Sequence, residues 1–169
     1  MRRALRYRLF GMGKMPDALR AAAGGAGVLV AAEGLPVYNR VWSLRMPQAK
    51  VGSGFRTASG SVVMLPGRLL ASIGKYVILD TEFPADGGRQ ELALAEDGLR
   101  ISFDVSTVLR TGSGSVEIHY KLPLDQSVLG QLPVRGCPVR LVSAAEALLN
   151  PWRGTYRGGR PRSALSRLI

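Results

Sequence analysis

The sequence predicts a mainly β protein. About seven short strands are expected to form an antiparallel meander that folds into a partly closed barrel or sandwich, with short helices at the N-terminus and near the C-terminus. Apolar and polar residues alternate over much of the chain between Val28 and Leu122, which is the period of a strand with one buried face. Turn pairs such as Pro66-Gly67 and Asp97-Gly98 separate these runs. The 21 glycines fit many tight turns better than long helices.

The N-terminal elements are predicted to be helical. Residues 1–12 have the pattern of a basic amphipathic helix. A second, short helix is predicted to begin at Pro16, with Asp17 in its first turn and alanines behind it. The pair Gly24-Gly25 is expected to end this helix, because glycine is a poor helix former.

From Gly27 onward the pattern is that of strands. VLVAAEG and VYNRVWSLR predict two successive strands separated by Leu35-Pro36, and Met46 to Gly54 predicts a polar loop. The next strands are predicted at Thr57–Leu65, Arg68–Ser72 and Tyr76–Phe83.

The second half of the chain contains the clearest hairpin. ELALAEDGLRISFD places Asp97-Gly98 between two alternating runs, whose inward-facing residues are predicted to be Leu92, Leu94, Leu99, Ile101 and Phe103. A loop, TGSGS, then leads into VEIHYKL, whose inward-facing residues are predicted to be Val116, Ile118, Tyr120 and Leu122. A short helix at Asp125–Leu132 is expected to close the domain, and Ser143–Leu149 is a second candidate helix.

Charge divides the chain into three parts. The net charge is +11, but residues 1–20 hold six basic side chains against one acidic, and residues 147–169 hold five basic and none acidic, so the remainder is close to neutral. We therefore predict a basic N-terminal segment at 1–26 with a short helix, a β domain with a closing helix at 27–150, and a basic, disordered tail at 151–169.

Part of the meander resembles a known family. Bacterial pleckstrin-homology-like (PH-like) and GRAM-type domains have a strand written G-x-L-x-L-T, then a turn into R-L-L and a strand with V-x-x-D. The matching residues here are Gly60, Arg68, Leu69 and Asp80. Leu65 stands where the family often has threonine, and Pro66-Gly67 replaces a more basic turn. The resemblance covers about residues 27–132. It implies a seven-stranded bent sheet closed by a helix, usually a binding or scaffolding module, and it implies no particular ligand.

Catalysis and metal binding are not predicted. His119 is the only histidine and Cys137 the only cysteine, which cannot supply the usual zinc ligands. Alternation places His119 on a solvent face, and no G-x-S-x-G motif provides a nucleophilic serine. Asp80 and Glu82 share one strand face, where we expect solvated carboxylates rather than a general acid–base pair. We therefore predict a protein that is not an enzyme and has no metal or cofactor.

Two anion-binding motifs are present only in weak form. Thr111 to Ser115 is compatible with a nest of backbone N–H groups, and a plain turn is the alternative. Asp104-Val105-Ser106 approaches the motif of a cyclic-di-guanylate reader, but Leu109 replaces its glycine, and Arg40 and Arg45 are one residue too far apart for its partner box.

The two ends carry the remaining polar signal. The stretch NPWRGTYRGGRPRSALSRLI interleaves aromatic rings with arginines, a combination that suits phosphates, bases or a membrane interface, and a solubilising tail is the alternative. The candidate anion or membrane contacts are Arg2, Arg3, Arg6, Arg8, Trp152, Arg153, Tyr156, Arg157, Arg160 and Arg162.

Three functional hypotheses follow. The leading one is a non-enzymatic binding or scaffolding module, cytoplasmic or peripheral to the inner face of the membrane, that binds a partner protein or an anionic membrane surface. The second is a nucleic-acid-binding protein that uses the arginine- and aromatic-rich ends. The third is a calycin-like carrier of an apolar ligand. The third requires an internal cavity, so a filled interior would separate it from the first.

Overall fold

Within the described residues, the alternation of the sequence is realised as a curled antiparallel sheet, a half-barrel of seven strands and a short eighth one, with two short helices. The computed structural model describes residues 14–46, 49–82, 90–131 and 137–139. The helices are α1 (Asp17–Ala23) and α2 (Gln126–Leu129), with a 3₁₀ turn at Val105–Thr107. The strands are β1 (Val30–Met46), β2 (Ala49–Leu65), β3 (Arg68–Ile73), β4 (Tyr76–Glu82), β5 (Gln90–Ala95), β6 (Gly98–Asp104) and β7 (Ser113–Lys121), with a three-residue β8 (Cys137–Val139) beside β5.

The sheet joins two meanders. The first runs from β1 to β4 and the second from β5 to β7, and pairing between β1 and β7 connects them, so the strand order is β4-β3-β2-β1-β7-β6-β5-β8. All seven pairings are antiparallel. The predicted fold class is therefore confirmed as a mainly β half-barrel with two short helices.

Strand β1 corrects the prediction of two strands split at Leu35-Pro36. A bulge with Gly34 at φ 68° lies between Ala32 and Leu35, and the strand continues beyond it. Pro36 is tolerated because β1 pairs there with β2 alone: its pairing with β7 begins at Val37. A proline has no N–H to donate, so it can occupy a position with a neighbour on only one side.

Two predicted loops are also strand. The expected loop at Met46 to Gly54 is wrong, since β2 begins at Ala49, which pairs with Met46. The expected loop TGSGS is wrong in its second half, since β7 begins at Ser113, which pairs with Arg45. Glycine and serine lowered the apparent strand propensity of both stretches, but pairing with β1 holds them extended, as tertiary context often does.

The inner face of the half-barrel holds the main core. The predicted inward-facing residues of β5, β6 and β7 are all buried. Tyr120 is completely buried, and its hydroxyl donates a hydrogen bond of 3.0 Å to the carbonyl oxygen of Ser72. The ring therefore extends from β7 past β1 and β2 to reach β3. Gly60 provides room for it, because an added Cβ would stand 2.8 Å from Tyr120 Cε1 and would overlap the Ser72 oxygen.

Helix α1 covers part of the opposite, outer face. It begins at Asp17, one residue after the predicted start at Pro16, and it ends before Gly24, as predicted. Leu19 is completely buried against Val63 and Leu70, which point away from the main core. Strands β2 and β3 are therefore buried on both faces under this helix, which explains their continuous apolar run.

The remaining predicted helices have different outcomes. Helix α2 is shorter than the predicted Asp125–Leu132, and Asp125 occupies its N-cap position without a side-chain capping hydrogen bond. The predicted helices at residues 1–12 and Ser143–Leu149 lie outside the described residues. None of the helices in the described segments has the length and apolarity needed to cross a membrane.

Candidate functional site

The most distinctive surface feature lies on the outer face of the sheet, where β2, β1 and β7 run side by side. Because side chains alternate along a strand, the residues between the core positions of these strands point outward together. We define the outer-face patch as Tyr38, Arg40 and Trp42 of β1, Phe55 of β2, and Glu117 and His119 of β7.

Planar side chains contact one another across this patch. The rings of Tyr38 and Phe55 stack with centroids 5.7 Å apart and an interplanar angle of 22°. His119 lies on the other side of Tyr38, at 6.1 Å and 45°. The guanidinium carbon of Arg40 lies over the Phe55 ring, 5.7 Å from its centroid. Cross-strand pairing produces these contacts, since Arg40 is opposite Phe55 and Tyr38 is opposite His119.

Two large aromatic residues of the patch are open to solvent. Phe55 is 53% exposed and Trp42 is 41% exposed. The third such residue in the described chain, Tyr76 at 49%, lies at the start of β4, with Lys75 Nζ 5.3 Å from its ring centroid. Clustered exposed apolar surface is uncommon on a monomer and marks interaction sites, whereas single exposed residues are ordinary.

The charges of the patch are mixed. Arg40 and Glu117 are directly opposite each other on β1 and β7, yet neither makes an ion pair within the described part of the chain. Arg40 instead lies on the Phe55 side. At the edge of the patch, a hydrogen bond from Arg100 holds the pKa of Asp97 below its usual value, and His119 nearby acts in the same direction. The surface is therefore aromatic at its centre and close to neutral overall.

A bulge in β1 orients the end of this patch. The pairing with β2 shifts between Val41 and Leu44, and Ser43 adopts a left-handed φ of 50°. The extra residue keeps Leu44 in the core, and Trp42 remains outward opposite Ser115 of β7. Bulges commonly re-aim side chains in this way.

His119 corrects one prediction. It was expected to be an exposed strand histidine, but its side chain is only 16% exposed. Its Nε2 lies 3.3 Å from the main-chain oxygen and 3.5 Å from Oδ2 of Asp97, and its ring packs beside Tyr38. The cross-strand neighbours that bury it are far away in sequence, so the alternation alone does not reveal them.

The two acids that were predicted to share a strand face lie at the surface of the described chain. Asp80 accepts two hydrogen bonds from Arg68, at 2.9 and 3.0 Å, and Glu82 is exposed. The bidentate pair raises the pKa of Arg68. Within the segments that the structure describes, no group of three or more metal-ligating side chains occurs. The ten basic and aromatic contacts predicted in the two ends all lie outside the described residues.

The residues that carry the family resemblance have structural roles. Arg68 and Asp80 pair with each other on the outer face, Leu69 is buried in the main core, and Gly60 makes room for Tyr120. These four positions therefore contribute to packing and pairing within the sheet, and none of them lies in the outer-face patch.

One polar position on the inner face stands apart from the core. Asn39 is 8% exposed, and its Oδ1 has no hydrogen-bond partner. Arg56 lies opposite it on β2 and Ile118 on β7. An unsatisfied buried acceptor costs stability.

The sequence pattern did not predict the outer-face patch, because one of its strands begins earlier than the pattern indicates. Tyr38, Arg40 and Trp42 are spaced two apart, which signals one strand face, but Phe55 preceded the predicted start of its strand at Thr57. Its partner Arg40 therefore had no predicted neighbour.

Comparison with protein-family models, with curated proteins and with solved structures gives no match for this chain.

Proposed function

We propose that this chain is a non-enzymatic binding or scaffolding module that holds a partner protein on its outer-face patch. The observation that carries the proposal is the exposure of Trp42 and Phe55 beside Tyr38 and Arg40, on a sheet whose other face is a packed core. Strands hold such side chains more rigidly than loops do, so a partner would lose little free energy in ordering them.

The residue types favour a protein partner. Tryptophan, tyrosine and arginine dominate the energetic centres of protein interfaces, usually within a polar rim. An anionic membrane or a nucleic acid would attract Arg40 but repel Glu117, which lies directly opposite it. The basic ends remain proposed contacts for an anionic membrane surface.

The architecture supports a PH-like module. A four-strand and a three-strand meander joined through β1 and β7, with a short helix after β7, correspond to the bent sheet and closing helix that the resemblance implies. The calycin-like alternative is less favoured, because the inner-face side chains of both meanders pack into one core cluster, which includes Tyr120. We also propose that the protein has no enzymatic activity, since the described acids and His119 are paired or solvated.

Site-specific crosslinking in living cells of the native host tests the proposal. A photo-reactive phenylalanine analogue replaces Phe55 in the full chain, and in a matched control it replaces Tyr76, which is similarly exposed but lies outside the patch. We expect a discrete protein adduct from position 55 that is absent from position 76, and the adduct should be lost when Trp42→Ser is added.

Identical adducts from the two positions, or none from position 55, would refute the patch as the binding surface. Flotation with vesicles of anionic lipid supplies a further arm. If Trp42→Ser abolishes vesicle binding and no protein adduct forms, the patch contacts membrane and the protein-partner proposal is wrong.

A further inference from the structure

We propose that the partner on the outer-face patch is a second copy of this chain. The two copies are related by a two-fold axis that runs parallel to the strands, above the outer face and over the boundary between β1 and β7. This inference rests on the proposed function, because it names the partner of the same surface. The two halves of the patch are complementary to each other in charge and in size.

Charge supplies the first half of the argument. Arg40 on β1 and Glu117 on β7 are Cα partners, and neither has an ion-pair partner among the described residues. A surface that satisfies both must present an acid above Arg40 and a base above Glu117. Rotation by 180° about the proposed axis exchanges the two strands, so it places Arg40 of the second copy above Glu117 of the first, and the reverse.

Size supplies the second half. The register aligns Phe55, Arg40, Glu117 and Ser102 in one row across β2, β1, β7 and β6. The same rotation therefore places the exposed Phe55 ring above Ser102 of the other copy. In a neighbouring row Trp42 is opposite Ser115, so its indole also meets a serine. The two exposed rings of β1 and β2, Trp42 and Phe55, thus face serines on β7 and β6, which is how packed sheets interdigitate.

The size of the face predicts a weak dimer. Four strands spaced ~4.8 Å apart, over seven residues at ~3.3 Å each, span ~19 by ~23 Å of sheet. The outer face of a curled sheet is convex, so this flat area is an upper limit, and it is below the standard size of a specific protein interface. Association in the micromolar range is therefore expected. Two sheets related in this way would stack with their strands roughly aligned.

Sedimentation velocity of the full chain over a range of about 5 to 500 µM provides the first test. We expect a concentration-dependent dimer that Phe55→Ser and Trp42→Ser each weaken by about tenfold or more. Tyr76→Ser is the matched control and should leave dimerisation unchanged. These side chains are exposed, so each variant should melt cooperatively and near the wild-type temperature, and thermal melts check this. A monomer at every concentration, or an equal loss in the control, would overturn the inference.

A charge exchange provides the second test. Arg40→Glu alone and Glu117→Arg alone should each be monomeric, because like charges then face each other in both symmetry-related contacts beside the axis. An equimolar mixture of the two variants should recover a dimer, since each chain then meets opposite charges on the other. Failure of the mixture to associate would refute the two-fold arrangement.

The two proposals fail separately. If crosslinking from position 55 captures only a different protein and the chain sediments as a monomer, the second-copy inference is wrong and the binding function stands. If position 55 captures the chain itself and the mixture recovers, both are supported.

Discussion

Tyr120→Phe removes one hydroxyl from the interior of the half-barrel, and its effect should depend on pH in a defined way. The hydroxyl donates to the Ser72 carbonyl at 3.0 Å, and the side chain is completely buried. Phenylalanine keeps the ring but leaves that carbonyl without its donor. We expect the free energy of unfolding at pH 7 to fall by about 1–2 kcal/mol.

The alkaline response follows from the ionisation of the same hydroxyl. Burial raises the pKa of Tyr120 well above the ordinary value of 10.0. Below pH 10 the folded and unfolded chains both keep the proton, so the full stabilisation is present. Above pH 10 only the unfolded chain loses this proton, so the contribution of Tyr120 to the free energy of unfolding should have fallen by about 1.4 kcal/mol at pH 11. Phenylalanine has no proton to lose, so the difference between the two proteins should shrink by that amount.

Urea unfolding followed by circular dichroism at pH 7, 9, 10 and 11 measures both effects. Tyr76→Phe is the control, because it removes an exposed hydroxyl and should change stability at pH 7 by less than about 0.5 kcal/mol. A Tyr120→Phe variant as stable as wild type at pH 7 would show that the hydrogen bond contributes nothing. A difference that stays constant up to pH 11 would show that the hydroxyl ionises freely in the folded state.

Three further predictions concern the same scaffold. Gly60→Ala should lower the free energy of unfolding by about 2–3 kcal/mol in urea titrations, because its Cβ would overlap the Ser72 carbonyl oxygen; a neutral effect would contradict the close approach. Leu19→Ala should lower the free energy of unfolding by about 3 kcal/mol in the same assay, because Leu19 packs α1 against the sheet. A decrease below about 0.5 kcal/mol would show that the helix contributes little to stability. A double-mutant cycle of Arg68→Ala and Asp80→Ala should give a coupling free energy below about 1 kcal/mol that falls as salt is added. A large coupling free energy that does not depend on salt would refute the assignment of Arg68 and Asp80 as a surface ion pair.

Much of the fold follows from local pattern. The Asp97-Gly98 hairpin was predicted with its correct inward residues, because a turn pair and strict alternation together determine a strand face. Helix α1 was predicted because Pro16 and Gly24 limit a short run of helix formers. The strand ends were less accurate. Glycine and serine at 52–54 and at 112–115 suggested loops, and only their pairing with β1 makes most of them strand.

The candidate site depended on contacts that local pattern does not contain. Arg40 has Phe55 on one side and Glu117 on the other, and these neighbours are distant in sequence. The same holds for His119, which the alternation assigned to solvent and which Asp97 and Tyr38 partly bury.

The order of apolar and polar residues in the sequence determined which side chains face inward. Successive side chains of a strand point to opposite faces, whatever the strand pairs with. Only the tertiary structure determined three other features. These are the order of the strands, the stacking of Tyr38 on Phe55 and the hydrogen bond from Tyr120 to the Ser72 carbonyl oxygen. These contacts form only when the two meanders meet along β1 and β7. The register between distant strands depends on the combined packing of the core, and no short stretch of sequence encodes it.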